Sequence, residues 1–238
     1  MSEILFVRHG QASLLKTYYD DLSDQGREQA TGLGRFLAEH EWTFDAVVSG
    51  PARRHLDTAN AIGKAVAERQ QPWPQLETLA GLDEHDNLSL VRASVGSLSD
   101  DAEVVALRRD MLEASGREER SERFGRLFEA VVIRWLQGDF EPQGVETWTQ
   151  FRARVLSCIE AMTTTEPARR LLVISSLGPL AVLLQRALEL DDAAAFRLAW
   201  RARNTSLTTF GFDARGRLSL DAFNALPHMP DRASWTLR

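Results

Sequence analysis

The sequence predicts an α/β fold: a three-layer α/β/α arrangement on a mainly parallel sheet, with helices on both faces and a helical insertion. Two observations predict it. Short apolar runs without alternation, the mark of strands buried on both faces, stand at 3–7, 45–49 and 171–175. Between them, apolar residues recur at three- and four-residue intervals, the period of a helix with one buried face. A single domain over 1–238, with a helical cap insertion at about 88–140, accounts for the order of these segments.

Glu3–Val7 is the first strand and runs into Arg8-His9-Gly10. After a polar connection, Ser23 caps a helix to about His40, with Ala30, Leu33, Phe36 and Leu37 on its buried face. Asp45–Ser49 is the second strand and leads into Gly50-Pro51, with Pro51 in the first turn of a helix carrying Leu56, Ala59, Ile62 and Val66. Pro72-Trp73-Pro74 ends that pattern, and Gln75–Leu79 is a short strand. Leu88 to Phe140 is helical and charge-rich. Thr147–Met162 is a further helix, with Trp148, Phe151, Val155 and Ile159 turned inward, and Thr163–Ala168 is a loop. Leu171–Ser175 is the most apolar strand, and Gly178-Pro179 opens a helix to about Leu190. Ser206–Phe212 and Leu218–Ala222, joined by Asp213–Arg217, form a β-hairpin. Trp135, Trp148 and Trp200 belong to the core.

Composition narrows the function. With 44% hydrophobic and 26% charged residues the chain is globular rather than disordered. A net charge of −6 gives no basic face for nucleic acid or an anionic membrane. One cysteine, Cys158, forms no disulfide within the chain, which fits the cytoplasm. The apolar stretch at 4–7 is too short for a signal peptide. The uncharged run Leu171–Leu184, interrupted by Gly178-Pro179, falls short of the roughly 20 residues that span a bilayer.

In parallel sheets, ligands bind beyond the carboxyl ends of the strands. Three polar groups stand at such ends: Arg8-His9-Gly10, Ser49-Gly50-Pro51 with Arg54, and Ser175-Ser176 before Gly178. The sheet is expected to gather them into one pocket. Around them lie Leu5-Phe6-Val7-Arg8-His9-Gly10-Gln11, then Asp21-Leu22-Ser23-Asp24-Gln25-Gly26-Arg27-Glu28-Gln29-Ala30, then Ser49-Gly50-Pro51-Ala52-Arg53-Arg54-His55-Leu56-Asp57-Thr58-Ala59. In type, order and spacing these blocks resemble the histidine phosphatase superfamily, the phosphoglycerate mutase-like proteins. That family carries an apolar strand into Arg-His-Gly, then Asp-x-Leu-Thr-x-x-Gly-x-x-Gln-Ala, then Ser-x-Pro-x-x-Arg-x-x-x-Thr-Ala.

The resemblance implies that His9 attacks phosphorus and forms a phosphohistidine, with Arg8 and Arg54 gripping the phosphoryl oxygens. The chemistry suits the residue types. A neutral imidazole is a nucleophile near neutral pH, and guanidinium forks match phosphoryl oxygens. Gly10 belongs to the same phosphate loop. Gln11 either donates to the phosphate or lines the rim, and Arg53 points elsewhere. The family's acid follows a Leu-x-Glu setting, which Leu82-Asp83-Glu84 matches, so Glu84 is the expected proton donor; a surface carboxylate is the plain alternative. Asn204 supports the pocket or bonds its own turn. Arg92 and Arg108-Arg109 either meet a second anionic group of the substrate or are solvated. No metal and no organic cofactor is implied.

One position departs from the family. Where Ser-His-Gly-Gly is usual, this chain reads Ser175-Ser176-Leu177-Gly178, so Ser176 replaces a histidine. A serine donates one neutral hydrogen bond to the phosphoryl group and brings no positive charge. Loss of one preorganised donor costs about a hundred- to a thousandfold in rate. Of the remaining histidines, His85 is the expected stand-in because it adjoins Glu84. His55 and His228 are expected at the surface or in packing, and His40 ends a helix. The expected function is hydrolysis of small phosphomonoesters. A catalytically weak phosphate-ligand binding protein is the alternative. A phosphoglycerate mutase is less favoured, because His85-Asp86-Asn87-Leu88 lacks the Tyr-Gly-x-Leu-x-Gly-Leu-Asn character of those enzymes.

Overall fold

The computed structural model describes residues 2–12, 20–164 and 169–237. The strands are β1 (Ser2–Arg8), β2 (Ala46–Ser49), β3 (Leu76–Thr78), β4 (Arg170–Ser175), β5 (Leu207–Phe212) and β6 (Leu218–Ala225). They form one six-stranded sheet in the order β3-β2-β4-β1-β5-β6. β1 to β4 run parallel, β5 is antiparallel to β1, and β6 closes the hairpin on β5. The sheet is therefore mainly parallel, as its unalternating strands predict. The described helices are α1 (Asp24–Glu39), α2 (Arg53–Ala67), α3 (Asn87–Ser97), α4 (Ala102–Leu112), α5 (Arg117–Gln137), α6 (Trp148–Thr164), α7 (Leu177–Leu188) and α8 (Asp192–Ala199).

The chain divides into two compact units, 1–84 with 154–238, and 85–153. In the first, alternate strand residues Leu5, Val7, Val47, Leu172 and Ile174 pack with Leu33 and Leu37 of α1 and Ile62 and Val66 of α2. The buried face of α7, including Leu180, Val182, Leu183 and Leu184, adds apolar mass to the same unit. In the second, α3, α4 and α5 pack together with the start of α6. Trp135, Trp148 and Phe151 form its aromatic core, all nearly inaccessible. No helix among the described residues is long and apolar enough to cross a membrane.

Several boundaries differ from expectation for local reasons. Ser23 caps α1, its hydroxyl accepting from Gly26 N–H at 3.0 Å, and His40 is the C-cap. Pro51 stands before α2 rather than in its first turn, because Ala52 stays extended as the N-cap. The Asp20 carboxylate, from the preceding connection, takes the Arg53 N–H at 2.6 Å and does the cap's work. Thr163 and Thr164 continue α6, their hydroxyls bonding back to the carbonyls of Ile159 and Glu160; residues 165–168 of the expected loop lie outside the described residues. The same holds for 13–19 of the polar connection after Gly10. Helix α8, absent from the sequence prediction, is capped by Asp191, which accepts from Ala194 N–H at 2.7 Å. Trp200 is half-buried, edge-on to Phe196, rather than a full core residue.

Candidate active site

Sheet order decides which loops meet. β1 lies beside β4 and β4 beside β2, with Arg8 level with Ser175 and Ser49 level with Ile174. The residues just beyond these ends, His9, Gly50 and Ser176, therefore emerge together. Backbone bonds hold them there: His9 N–H donates to Ser175 O at 2.9 Å, and Gly50 N–H to Ile174 O at 3.1 Å.

His9 is nearly fully buried. Its Nδ1 lies 2.7 Å from the Gly10 carbonyl. A carbonyl only accepts, so Nδ1 carries the proton and the Nε2 lone pair remains for chemistry. The turn itself is built around glycine. A Cβ on Gly10 would sit 2.5 Å from Gly26 O, so the start of α1 crosses the loop after β1 too closely for any side chain. Gly10 N–H donates to Thr58 Oγ1 at 3.0 Å, and Thr58 donates to Arg54 O at 2.6 Å, which ties the loop to α2. Gln11 faces α1 through its own N–H, which donates to Gln29 Oε1, and its side-chain oxygen, which accepts from Ser23 Oγ.

Two guanidinium groups act on His9. Arg8 is buried and donates through Nη1 to the Ala202 carbonyl at 2.6 Å. Arg54 donates through Nη1 to Asp20 at 2.5 Å and through Nη2 to Ser176 Oγ at 3.3 Å. Burial, then Arg54, then Arg8, then His55 hold the His9 imidazole well below the usual histidine pKa, so the ring is neutral. Arg53 turns away and pairs with Asp21 at 3.0 Å.

Glu84 accepts from Gly178 N–H, at the start of α7, through Oε2 at 3.1 Å. Its neighbour Asp83 accepts the Glu84 N–H, and burial pushes its carboxyl pKa up. Asn204 commits its amide to the frame: Nδ2 donates to His9 O at 3.0 Å and Oδ1 accepts from Thr236 at 2.8 Å. Thr205, in a left-handed conformation (φ 56°), donates its N–H to Arg8 O at 2.8 Å.

The histidines rearrange expectation most. Of the two places expected for it, surface or packing, His55 takes the inaccessible one. Its Nε2 lies 2.5 Å from Ser176 Oγ, and its ring centroid 5.6 Å from that of His9. His85, the expected stand-in, is buried in the aromatic core of the helical unit, stacked 5.0 Å from Trp135 and 6.1 Å from Phe128. Adjacency to Glu84 in the chain did not place it in the site because the chain passes into the second unit at that residue. His228 pairs with Thr205 Oγ1 at 3.0 Å, and His40 with Phe36 O at 2.9 Å. Among the described residues, no three of His, Cys, Asp and Glu cluster as metal ligands.

The sequence matches the histidine phosphatase superfamily (branch 1) over residues 4–90 and 109–225. Comparison with curated proteins yields no match. Similar solved structures include the phosphoserine phosphatase of Entamoeba histolytica in complex with 3-phosphoglyceric acid (17% identity, TM-score 0.62, covering 96% of this chain and 100% of that one). A mycobacterial glucosyl-3-phosphoglycerate phosphatase with inorganic phosphate is another (19%, TM-score 0.63, 95% and 99%). A phosphoglycerate mutase from Bacillus anthracis is a third (19%, TM-score 0.63, 95% and 94%). These likenesses concern the fold, and the sequence match spans most of the chain: the protein belongs to the histidine phosphatase superfamily.

Proposed function

We propose that the protein hydrolyses small phosphomonoesters through a phosphohistidine on His9. The observation that carries this reading is the neutral, buried His9, tied through Nδ1 to Gly10 O and standing in the field of Arg8 and Arg54. Phosphatases among the structural neighbours, one with inorganic phosphate and one with 3-phosphoglyceric acid, support the substrate class.

In the first step the Nε2 lone pair attacks phosphorus as the phosphorus–oxygen bond to the leaving group breaks. The Glu84 carboxyl gives its proton to the departing oxygen, so an alcohol leaves rather than an alkoxide. The negative charge of a phosphoryl group beside Glu84 favours the protonated carboxyl over the carboxylate. Positive charge growing on the imidazole meets the Gly10 carbonyl, and Arg8 and Arg54 neutralise charge on the equatorial oxygens. In the second step Glu84, now a carboxylate, takes a proton from water. That water attacks phosphorus, the nitrogen–phosphorus bond breaks, and His9 returns neutral with release of phosphate. Splitting one displacement into two is the gain of covalent catalysis.

The test is capture of an acid-labile phosphoenzyme from a labelled monoester. Wild type takes up label and His9→Ala takes up none; label persisting in His9→Ala overturns the mechanism. Ser176 favours a second reading, a phosphate-ligand binding protein. Tight phosphate binding by calorimetry, without turnover on a monoester panel, selects it. Isomerisation of 3-phosphoglycerate with a bisphosphate primer selects a mutase instead.

A further inference from the structure

Ser176 stands at the N-cap of α7, yet its side chain makes no capping bond. A serine in that place ordinarily satisfies one of the helix's first N–H groups. Here Oγ lies instead 2.5 Å from His55 Nε2 and 3.3 Å from Arg54 Nη2. They come from two parts of the chain far apart: Arg54 and His55 on the first turn of α2, and Ser176 just beyond the end of β4. The imidazole occupies a slot opened by a missing side chain. A Cβ on Gly50 would come 2.5 Å from His55 Nδ1 and 2.5 Å from Leu82 O. Gly50 is not in a left-handed conformation, so room for the ring and for the Leu82 carbonyl is the reason visible for glycine there. A ring of this polarity, inaccessible to water, is a costly occupant of a core position; Nδ1 is buried without a hydrogen-bond partner among the described residues, so the Ser176 hydroxyl on Nε2 is the polar contact that answers it.

Building on the phosphatase reading, we propose that His55 and Ser176 together replace the missing second histidine. His55 Nε2–H donates to Ser176 Oγ and Arg54 Nη2 donates to the same oxygen. A serine oxygen has two lone pairs and one proton. With both lone pairs filled, the hydroxyl proton is directed to a phosphoryl oxygen. Ser176 is then the catalytic donor and His55 the residue that positions it. Burial first, and the neighbouring Arg54 second, lower the His55 pKa to about 3, so this neutral arrangement persists across the working pH range. The site thus trades a chargeable ring for a fixed hydroxyl, with Arg8 and Arg54 left to supply the positive charge.

The experiment is a double-mutant cycle on p-nitrophenyl phosphate hydrolysis, with labelled phosphoenzyme formation and thermal melting recorded for each variant. His55→Ala and Ser176→Ala each lower kcat about a hundred- to a thousandfold, with KM within about threefold of wild type. The double variant loses no more than the worse single one, because the pair works as a unit. His55→Gln, which keeps a donor of similar reach, recovers at least about tenfold over His55→Ala at equal melting temperature. Wild-type kcat in His55→Ala, or losses that multiply in the double variant, overturns the proposal. If His55→Ala does not fold, Ser176→Ala decides: unchanged kcat there overturns it equally. Failure of the phosphatase reading looks different, since His9→Ala then keeps the wild-type turnover and no variant takes up label.

Discussion

In the helical unit, arginine meets carboxylate. Arg134 lies 3.0 Å from Asp101 and 2.6 Å from Glu103, Arg123 lies 2.8 Å from Asp110, and Arg126 lies 3.0 Å from Glu122. At the carboxyl edge of the sheet, Arg8 is fixed by the Ala202 carbonyl, and Arg54 is shared between Asp20 and the Ser176 hydroxyl. The histidines divide in the same way. His85 packs flat among Trp135 and Phe128, whereas His55 is turned on edge to a hydroxyl and stands beside His9. Residue type alone does not separate structural from chemical use. What separates them is whether a polar side chain answers a carboxylate or ring on a helix of its own unit, or a hydroxyl delivered at the end of a distant strand.

The largest expected effect contrasts two arginines. Arg54→Ala lowers kcat for a phosphomonoester by about a thousandfold or more, because fixed charge on the transferring group is lost. Arg134→Ala leaves kcat at the wild-type value and lowers the unfolding free energy, read from urea melts, by only about 1 kcal/mol, as for a pair partly in water. Equal effects on kcat in steady-state assays would erase the distinction between the regions.

A second prediction concerns the proton. Glu84→Gln lowers kcat about a hundredfold for an alkyl phosphate, whose leaving oxygen needs protonation. With p-nitrophenyl phosphate, whose phenolate leaves unaided, it has little effect on kcat/KM, which reports phosphoenzyme formation, although the later attack of water still slows. Asp83→Asn shows no such dependence on the leaving group. Reversal of the two variants would move the acid to Asp83.

His85→Ala sharpens the contrast from the other unit. Removing a ring stacked between aromatic neighbours costs about 2–3 kcal/mol of stability, measured by urea unfolding, while turnover is retained. A specific loss of kcat in a folded His85→Ala protein would restore the expectation drawn from its place beside Glu84.

The last contrast is absent at neutral pH and emerges only in acid. His9 lies well below the usual histidine pKa, His55 is lowered to about 3 and His228 to about 4, each by burial first. In the unfolded chain these groups bind protons near 6.5. Their contribution to stability is therefore complete above about pH 6.5 and is lost progressively as pH falls toward 4 and 3. His228→Gln removes about one proton from the slope of stability against pH between 6.5 and 4, read from urea midpoints. An unchanged slope would mean that His228 titrates normally in the fold.

Much of this was legible in the sequence. The apolar runs at 3–7 and 171–175 mark buried strands because a strand covered on both faces has no reason to alternate. Ser23 marks the start of α1 because a cap is a bond to an N–H three residues on. The turn Asp213–Arg217 is equally local, with Asp213 accepting from Arg215 and Arg217 N–H. Helix α8 escaped because its signal is short: one Asp cap and a run of alanines with only Phe196 and Leu198 as large apolar residues to set a period.

By itself, then, the sequence determined the strands and most of the helices, the three blocks that identify the superfamily, and the candidates His9, Arg8 and Arg54. The tertiary structure alone decided which histidine meets Ser176. That choice depends on β4 lying between β1 and β2, an order set by burial of the whole sheet and not by any local bond. Capping and periodicity act over a few residues, so the chain displays them directly. The bond from His55 to Ser176 closes a loop of 121 residues, and the space that admits it exists only because Gly50 arrives beside it without a side chain.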